Sequence, residues 1–148
     1  MRHIELRSVI YSPGYCDMLG GYHRVSLEKD GDGNWAYVCS SSEERSEPTV
    51  VCTYAVTEDA VKRFAGFITE KRVASLEKRR KSDMFATDYS PWSWSINYDT
   101  VSFGKTKRNH CSIGEYKKYS DSDHKLLEEL RERFFALRGE KLSERTED

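Results

Sequence analysis

The chain has 148 residues, of which 37% are hydrophobic and 33% are charged, and its formal net charge is -1. This length corresponds to one domain. Nine Tyr, six Phe and three Trp residues, together with the balanced charge, exclude disorder for most of the chain. No run approaches the roughly 18 consecutive apolar residues that a membrane-spanning helix needs. The composition predicts a globular domain with a polar surface and no membrane partner.

The first third of the chain predicts four short β-strands in succession. In residues 4–10 and 22–28, apolar side chains alternate with polar ones, as in half-buried strands. Residues 30–34, with the sequence DGDGN, are typical of the turn between two hairpin strands. Further strands are predicted at residues 35–39 and 49–56. Because the connections are short, we expect an antiparallel meander.

Two amphipathic helices follow. The first starts at Thr57, a good N-cap residue, and ends at the basic residues 78–81, where cations suit the helix dipole. The second starts at Ser120, which forms a capping-box pattern with Asp123. Gly139 stands where a helix-ending glycine is expected.

The clearest strand pattern lies between the two helices, where polar residues alternate with Trp92, Trp94, Ile96 and Tyr98. We interpret this aromatic stripe as core, because a chain with so few apolar residues needs its largest side chains inside. The alternation changes phase at Val101, which predicts a tight turn near Asp99 and Thr100 and a return strand.

The resulting element order, β-β-β-β-α-β-β-α, predicts an α+β fold. We expect an antiparallel sheet of about six strands with two helices packed on one face, and the other face turned to water or to a partner. The domain is predicted to span residues 1–139, followed by a polar, frayed C-terminal tail at residues 140–148.

Several turn and core motifs resemble those of small bacterial α+β domains of unknown function. They are Tyr11-Ser12-Pro13-Gly14 leading to Gly20-Gly21, a Gly/Asp hairpin, a helix, and Asp88 before residues 92–98. The first turn of that pattern is richer in glycine, and a glycine stands where this chain has Thr100. The resemblance implies the same fold, and it brings no known activity and no catalytic residues.

Neither a metal site nor a cofactor is predicted. Asp30, Asp32 and Asn34 have calcium-loop spacing, but Trp35 and Ser41 replace the required Gly and Glu. Residues 14–21 are interpreted as a structural turn, because a phosphate-binding loop normally opens a helix. The cysteines are widely spaced without an export signal, so we expect reduced thiols in a cytoplasmic protein at Cys16, Cys39, Cys52 and Cys111.

No catalytic set is visible in the sequence. The four His residues fall in unrelated elements, and no nucleophile-elbow pattern surrounds any Ser. His110-Cys111 is the nearest candidate pair, and it is more often an ordinary loop pair. An enzyme remains an open hypothesis, and it requires a pocket that gathers His23 or His110 with carboxylates.

The charge distribution is the most informative feature. Residues 1–61 carry a net charge of -5, whereas residues 62–81 carry +6 and residues 104–118 carry +4. Basic patches favour nucleic acid or another acidic partner. The candidate binding residues are Lys78, Arg79, Arg80, Lys81, Lys105, Lys107 and Arg108.

Two further hypotheses of function follow. The leading one is a non-catalytic domain that binds a protein partner, or a second copy of itself, through an open sheet face or edge. The alternative is binding of nucleic acid or another acidic partner through the basic segments 71–81 and 105–118.

Overall fold

An antiparallel sheet of seven strands forms the framework of the protein in the computed structural model, which describes residues 2–16, 22–42, 48–82 and 89–147. The strands in chain order are β1 (Arg2–Ser12), β2 (Tyr15–Cys16), β3 (Tyr22–Lys29), β4 (Trp35–Ser42), β5 (Thr49–Ala55), β6 (Tyr89–Ser90), β7 (Ser93–Ser102), β8 (Lys105–Gly114) and β9 (Lys141–Glu147). The large sheet has the spatial order β8-β7-β1-β3-β4-β5-β9, and β2 and β6 form a separate pair.

Two α-helices, α1 (Glu58–Glu70) and α2 (Asp121–Phe135), and a 3₁₀ helix (Val73–Lys78) complete the fold. The predicted caps are confirmed. The Thr57 hydroxyl accepts a hydrogen bond from the Ala60 amide at 3.2 Å, and Ser120 and Asp123 form the full capping box. The fold is therefore α+β with an antiparallel sheet, as the sequence predicts.

The hydrophobic core lies between one face of the sheet and the helices. Across the strands, register partners bring Tyr11 beside Trp94 and Leu27 beside Tyr37, so these side chains share one face. Phe134 of α2 packs on this face. Its ring centroid lies 5.2 Å from that of Tyr37 and 5.2 Å from that of Trp94. Trp94 and Ile96 of the predicted stripe are therefore core, as predicted, whereas Trp92 and Tyr98 are partly buried against it.

A β-bulge in β1 interrupts the single alternation that the sequence predicts for residues 4–10. The register against β7 shifts between Leu6 and Ser8. Because a one-residue shift exchanges the two faces of a strand, Leu6 and Val9 are both buried in the core.

Two predicted boundaries are wrong. The first helix does not run to residue 81: it ends at Glu70, Arg72 takes a left-handed conformation (φ 53°), and the 3₁₀ helix follows. The tight turn is not at Asp99 and Thr100 but at Phe103 and Gly104, because β7 continues to Ser102.

The C-terminal segment also differs from the expectation. Lys141–Glu147 form the edge strand β9 rather than a frayed tail, and they pair with β5. Gly139 does not end α2, whose C-cap is Ala136. Its amide instead donates to the carbonyl oxygen of Ala55 at 2.9 Å and starts the pairing of the two strands.

Some sequence motifs lie outside the described residues. These are residues 17–21 in the second half of the first turn, residues 43–47 between the strands predicted at 35–39 and 49–56, and Asp88. The Asp30–Asn34 turn is described, and the Asp30 carboxylate accepts hydrogen bonds from the amides of Asp32 and Asn34. None of the described helices is long and apolar enough to cross a membrane.

Candidate functional site

The β7–β8 hairpin holds the most unusual side chain of the described surface. Its strands pair without a register shift from Ser93 opposite Gly114 to Ser102 opposite Lys105. Only Phe103 and Gly104 remain for the turn, and both have positive φ angles, 52° and 77°. A two-residue hairpin turn with two positive φ angles favours Asn-Gly, and a bulky residue in the left-handed region is an outlier.

Phe103 is also 90% exposed, more than any other large apolar side chain of the described residues. Phe is therefore unfavourable at this position for two reasons: its backbone is left-handed, and its apolar ring is exposed to water. Departures of this kind cluster at functional sites. Charge and alternation did not identify Phe103 as a site residue, although a Phe-Gly pair between two strand patterns was an available signal.

Three of the predicted basic residues lie beside Phe103 on β8. Lys105 and Lys107 face one side of the hairpin, where they line a concavity of about 520 Å³ with Phe103, Thr100 and other neighbours. Arg108 points to the opposite side, where its register partner is Asp99. Cations therefore lie on both sides of the strand that follows Phe103.

β8 is also an edge of the sheet, and among the described residues only its C-terminal part is covered. The Ser112 amide points away from β7 and donates to the Glu77 carboxylate at 3.1 Å. Because alternate residues of an edge strand point the same way, the backbone groups of Thr106, Arg108 and His110 also point outward. These outward groups have no hydrogen-bond partner among the described residues.

The other predicted basic residues lie at the far end of β8. The amide of Lys118 donates to the carbonyl oxygen of Arg80 at 2.7 Å, and Lys81 forms a β-bridge with Lys117. The structure thus brings the end of one basic segment against the end of the other. The hairpin tip lies about 30 Å away, the length of a ten-residue strand.

Arg79 has a different environment from its basic neighbours. Its guanidinium forms two hydrogen bonds with Asp123, from Nε to Oδ2 at 2.8 Å and from Nη2 to Oδ1 at 3.0 Å. These bonds hold the pKa of Asp123 at about 2, against the opposing effect of burial, and the Ser120 amide acts in the same direction. Arg79 therefore joins the 3₁₀ region to α2. By contrast, Lys78, Arg80 and Lys81 form no ion pair with any described residue.

Other potential chemistry is dispersed. His110 is hydrogen-bonded to Asn97 at 2.7 Å through Nδ1, and not to a carboxylate. An aromatic pocket of about 240 Å³ between β7 and α2 contains His124 and Glu128. Among the described residues, no cluster of three His, Cys, Asp or Glu side chains could hold a metal ion.

Comparisons with protein-family models, with curated proteins and with solved structures find no match to this chain. The geometry of the β7–β8 hairpin is therefore the main argument about function.

Proposed function

We propose that this protein is a non-catalytic interaction domain whose β7–β8 hairpin binds an acidic, extended segment of a partner protein. The observation that carries the proposal is the exposure of Phe103 in a left-handed turn position. That conformation costs roughly 1–2 kcal/mol for a residue with a side chain. Burying the ring against a partner offsets the cost, since aromatic side chains supply much of the binding energy of interfaces.

The exposed edge of β8 supports an extended ligand. The outward backbone groups of Thr106, Arg108 and His110 offer a ladder to which a peptide can add as a further strand. The ladder ends near Ser112, because the amide of Ser112 is already bonded to Glu77 of the 3₁₀ helix. The ligand therefore pairs with the half of β8 that begins at the hairpin tip.

The charges of the hairpin favour an acidic ligand over a second copy of the chain. Lys105, Lys107 and Arg108 attract carboxylates on both sides of an added strand. If two copies of β8 paired, the same three cations would face each other, and lysines on edge strands are a known safeguard against such pairing. The proposal therefore assigns the edge to a different protein rather than to self-association.

A peptide library displayed on phage tests this function, with the whole protein as the target. We expect enriched peptides to combine apolar residues with Asp or Glu at alternate positions. A synthetic peptide of the enriched sequence is then titrated calorimetrically. Phe103→Asn and the double variant Lys105→Glu/Lys107→Glu should each weaken binding at least about tenfold.

Asn is favoured at this turn position, so Phe103→Asn should keep the fold. A loss of binding in this variant is then due to the missing aromatic ring. The matched control for charge reversal is Arg63→Glu/Lys125→Glu, at two exposed helix positions, which should bind normally. Failure to enrich acidic peptides contradicts the proposal. Tighter, Phe103-dependent binding to anionic vesicles also contradicts it.

The second candidate function is nucleic-acid binding at the far end of β8. It is favoured by the backbone pairing that places Arg80 and Lys81 beside Lys117 and Lys118. Fluorescence anisotropy with a labelled single-stranded DNA tests it. This candidate predicts binding that weakens steeply with salt and a smaller salt slope for Arg80→Glu/Lys81→Glu. An unchanged slope contradicts it.

A further inference from the structure

A groove of about 710 Å³ lies between α1 and the sheet, remote in sequence from the hairpin. Its apolar lining comes from three elements: Ile4 and Leu6 of β1, Trp35 of β4, and Val61 and Ala65 of α1. Its volume falls within the range of small-molecule sites, which combine an apolar lining with a few polar groups.

Gly66 of α1 lines this groove. It stands in the interior of α1, where glycine is less favourable than alanine because it loses more conformational freedom on folding. Nothing lies within 4 Å of the position that a Cβ atom would take there, and its φ angle is not left-handed. Neither backbone conformation nor close packing therefore requires glycine, whereas a large side chain at this position would project into the groove.

Lys29 supplies a polar group at the rim. It is the register partner of Trp35 across the β3–β4 hairpin, and its ammonium lies 5.4 Å from the centroid of the indole ring. The second cation of the rim, Lys62, lies 3.9 Å from the carboxylate of Glu58. Lys29 has no carboxylate partner among the described residues, so it is the cation that remains for a ligand.

From these observations we infer that the groove binds a small amphiphile, an apolar chain that ends in a carboxylate, with the chain on the α1–β1 lining and the carboxylate at Lys29. The rim also carries Glu5 and Glu70. Their negative charge repels an anion, so the carboxylate is expected at Lys29 rather than beside these two side chains. This inference is independent of the hairpin proposal.

Calorimetric titration of the whole protein with dodecanoate, below its micellar concentration, tests the inference. Dodecanol and dodecylamine serve as the neutral and cationic comparisons. We expect dodecanoate to bind at least about tenfold more tightly than either, because a charge-assisted hydrogen bond holds its head group. Absence of dodecanoate binding, or equal or tighter binding of dodecanol or dodecylamine, overturns the inference.

Three variants locate the site. Gly66→Phe should abolish dodecanoate binding by filling the groove, whereas Gly66→Ala, its matched control, should bind normally and have a higher Tm. Lys29→Gln should lose the preference for dodecanoate over dodecanol. Phe103→Asn should leave the binding unchanged, which separates this site from the hairpin. Binding that survives in Gly66→Phe contradicts the assignment to the groove.

Discussion

Arg79 and Asp123, which are 44 residues apart in the chain, form a two-point salt bridge with N–O distances of 2.8 and 3.0 Å. Asp123 also accepts the Ser120 amide in the capping box of α2. The Asp123 carboxylate thus caps the N-terminus of α2 and also binds Arg79, at the end of the 3₁₀ helix. A residue predicted to bind a partner from its charge alone is therefore engaged inside the protein.

Arg79→Ala should lower the free energy of unfolding by about 1–3 kcal/mol, because it leaves a mostly buried carboxylate without its charged donor. Urea denaturation measures the change. The neighbouring variant Arg80→Ala is the control, and it should stay within about 0.5 kcal/mol of the wild type. Equal effects of the two variants would show that the salt bridge does not stabilise the fold.

The same pair predicts how stability depends on pH. Folding lowers the pKa of Asp123 from 3.8 to about 2, so the folded state favours the ionised carboxylate. Its contribution is complete above about pH 4 and is lost as the pH falls towards 2. In urea denaturation, the stability difference between the wild type and Asp123→Asn should therefore shrink from pH 6 to pH 2.5. A constant difference contradicts this explanation.

Gly139 is predicted to be essential for the attachment of β9. A Cβ atom at this position would lie 2.6 Å from the carbonyl oxygen of Ala55, so the backbone must move. Gly139→Ala should speed amide hydrogen exchange throughout β9 and lower the Tm. Gly114→Ala is the matched control, because a Cβ atom there meets nothing within 4 Å. Normal exchange in Gly139→Ala would refute the proposed role.

Cys39 and Cys52 are register partners on neighbouring antiparallel strands. Such partners have Cα atoms about 4.5–5.5 Å apart, which suits a disulfide. Treatment with diamide, which takes up the two electrons and two protons, should therefore link them within one chain. Peptide mapping by mass spectrometry should find this link and no link to the buried Cys111.

The rate of that oxidation should rise with pH. Burial raises the pKa of the Cys39 thiol, and the pKa of the Cys52 thiol is also raised, by desolvation and by the hydrogen bond it donates to Glu144. Because the thiolate is the reactive form, oxidation is slow at neutral pH and faster in alkali. A rate independent of pH contradicts this reasoning.

Local signals predicted much of the fold. The caps at Thr57 and Ser120 depend on hydrogen bonds within one helical turn, and the stripe around Trp94 depends on simple alternation, so both were visible in the sequence. β9 was not, because all seven of its residues are exposed and leave no burial pattern. Its position depends on the long-range approach of Gly139 to Ala55, which no local rule contains.

The candidate site was half predicted. Charge alone identified Lys105, Lys107 and Arg108, but it could not separate them from Arg79, whose partner is distant in sequence. Phe103 was assigned to a strand, because an apolar residue in an alternating segment is typical of a strand. The register of β7 with β8 places it in a turn, for which the Phe-Gly pair was the one local signal.

The most direct test of the proposed function is amide hydrogen exchange, followed by NMR, before and after addition of the enriched acidic peptide. A peptide that adds to the edge of β8 should protect the outward amides of Thr106, Arg108 and His110 in the wild type, and much less in Phe103→Asn. The Ser112 amide, already bonded to Glu77, should change little. Peptide binding that leaves these three amides unprotected, or that protects them equally without the Phe103 ring, would contradict the proposal.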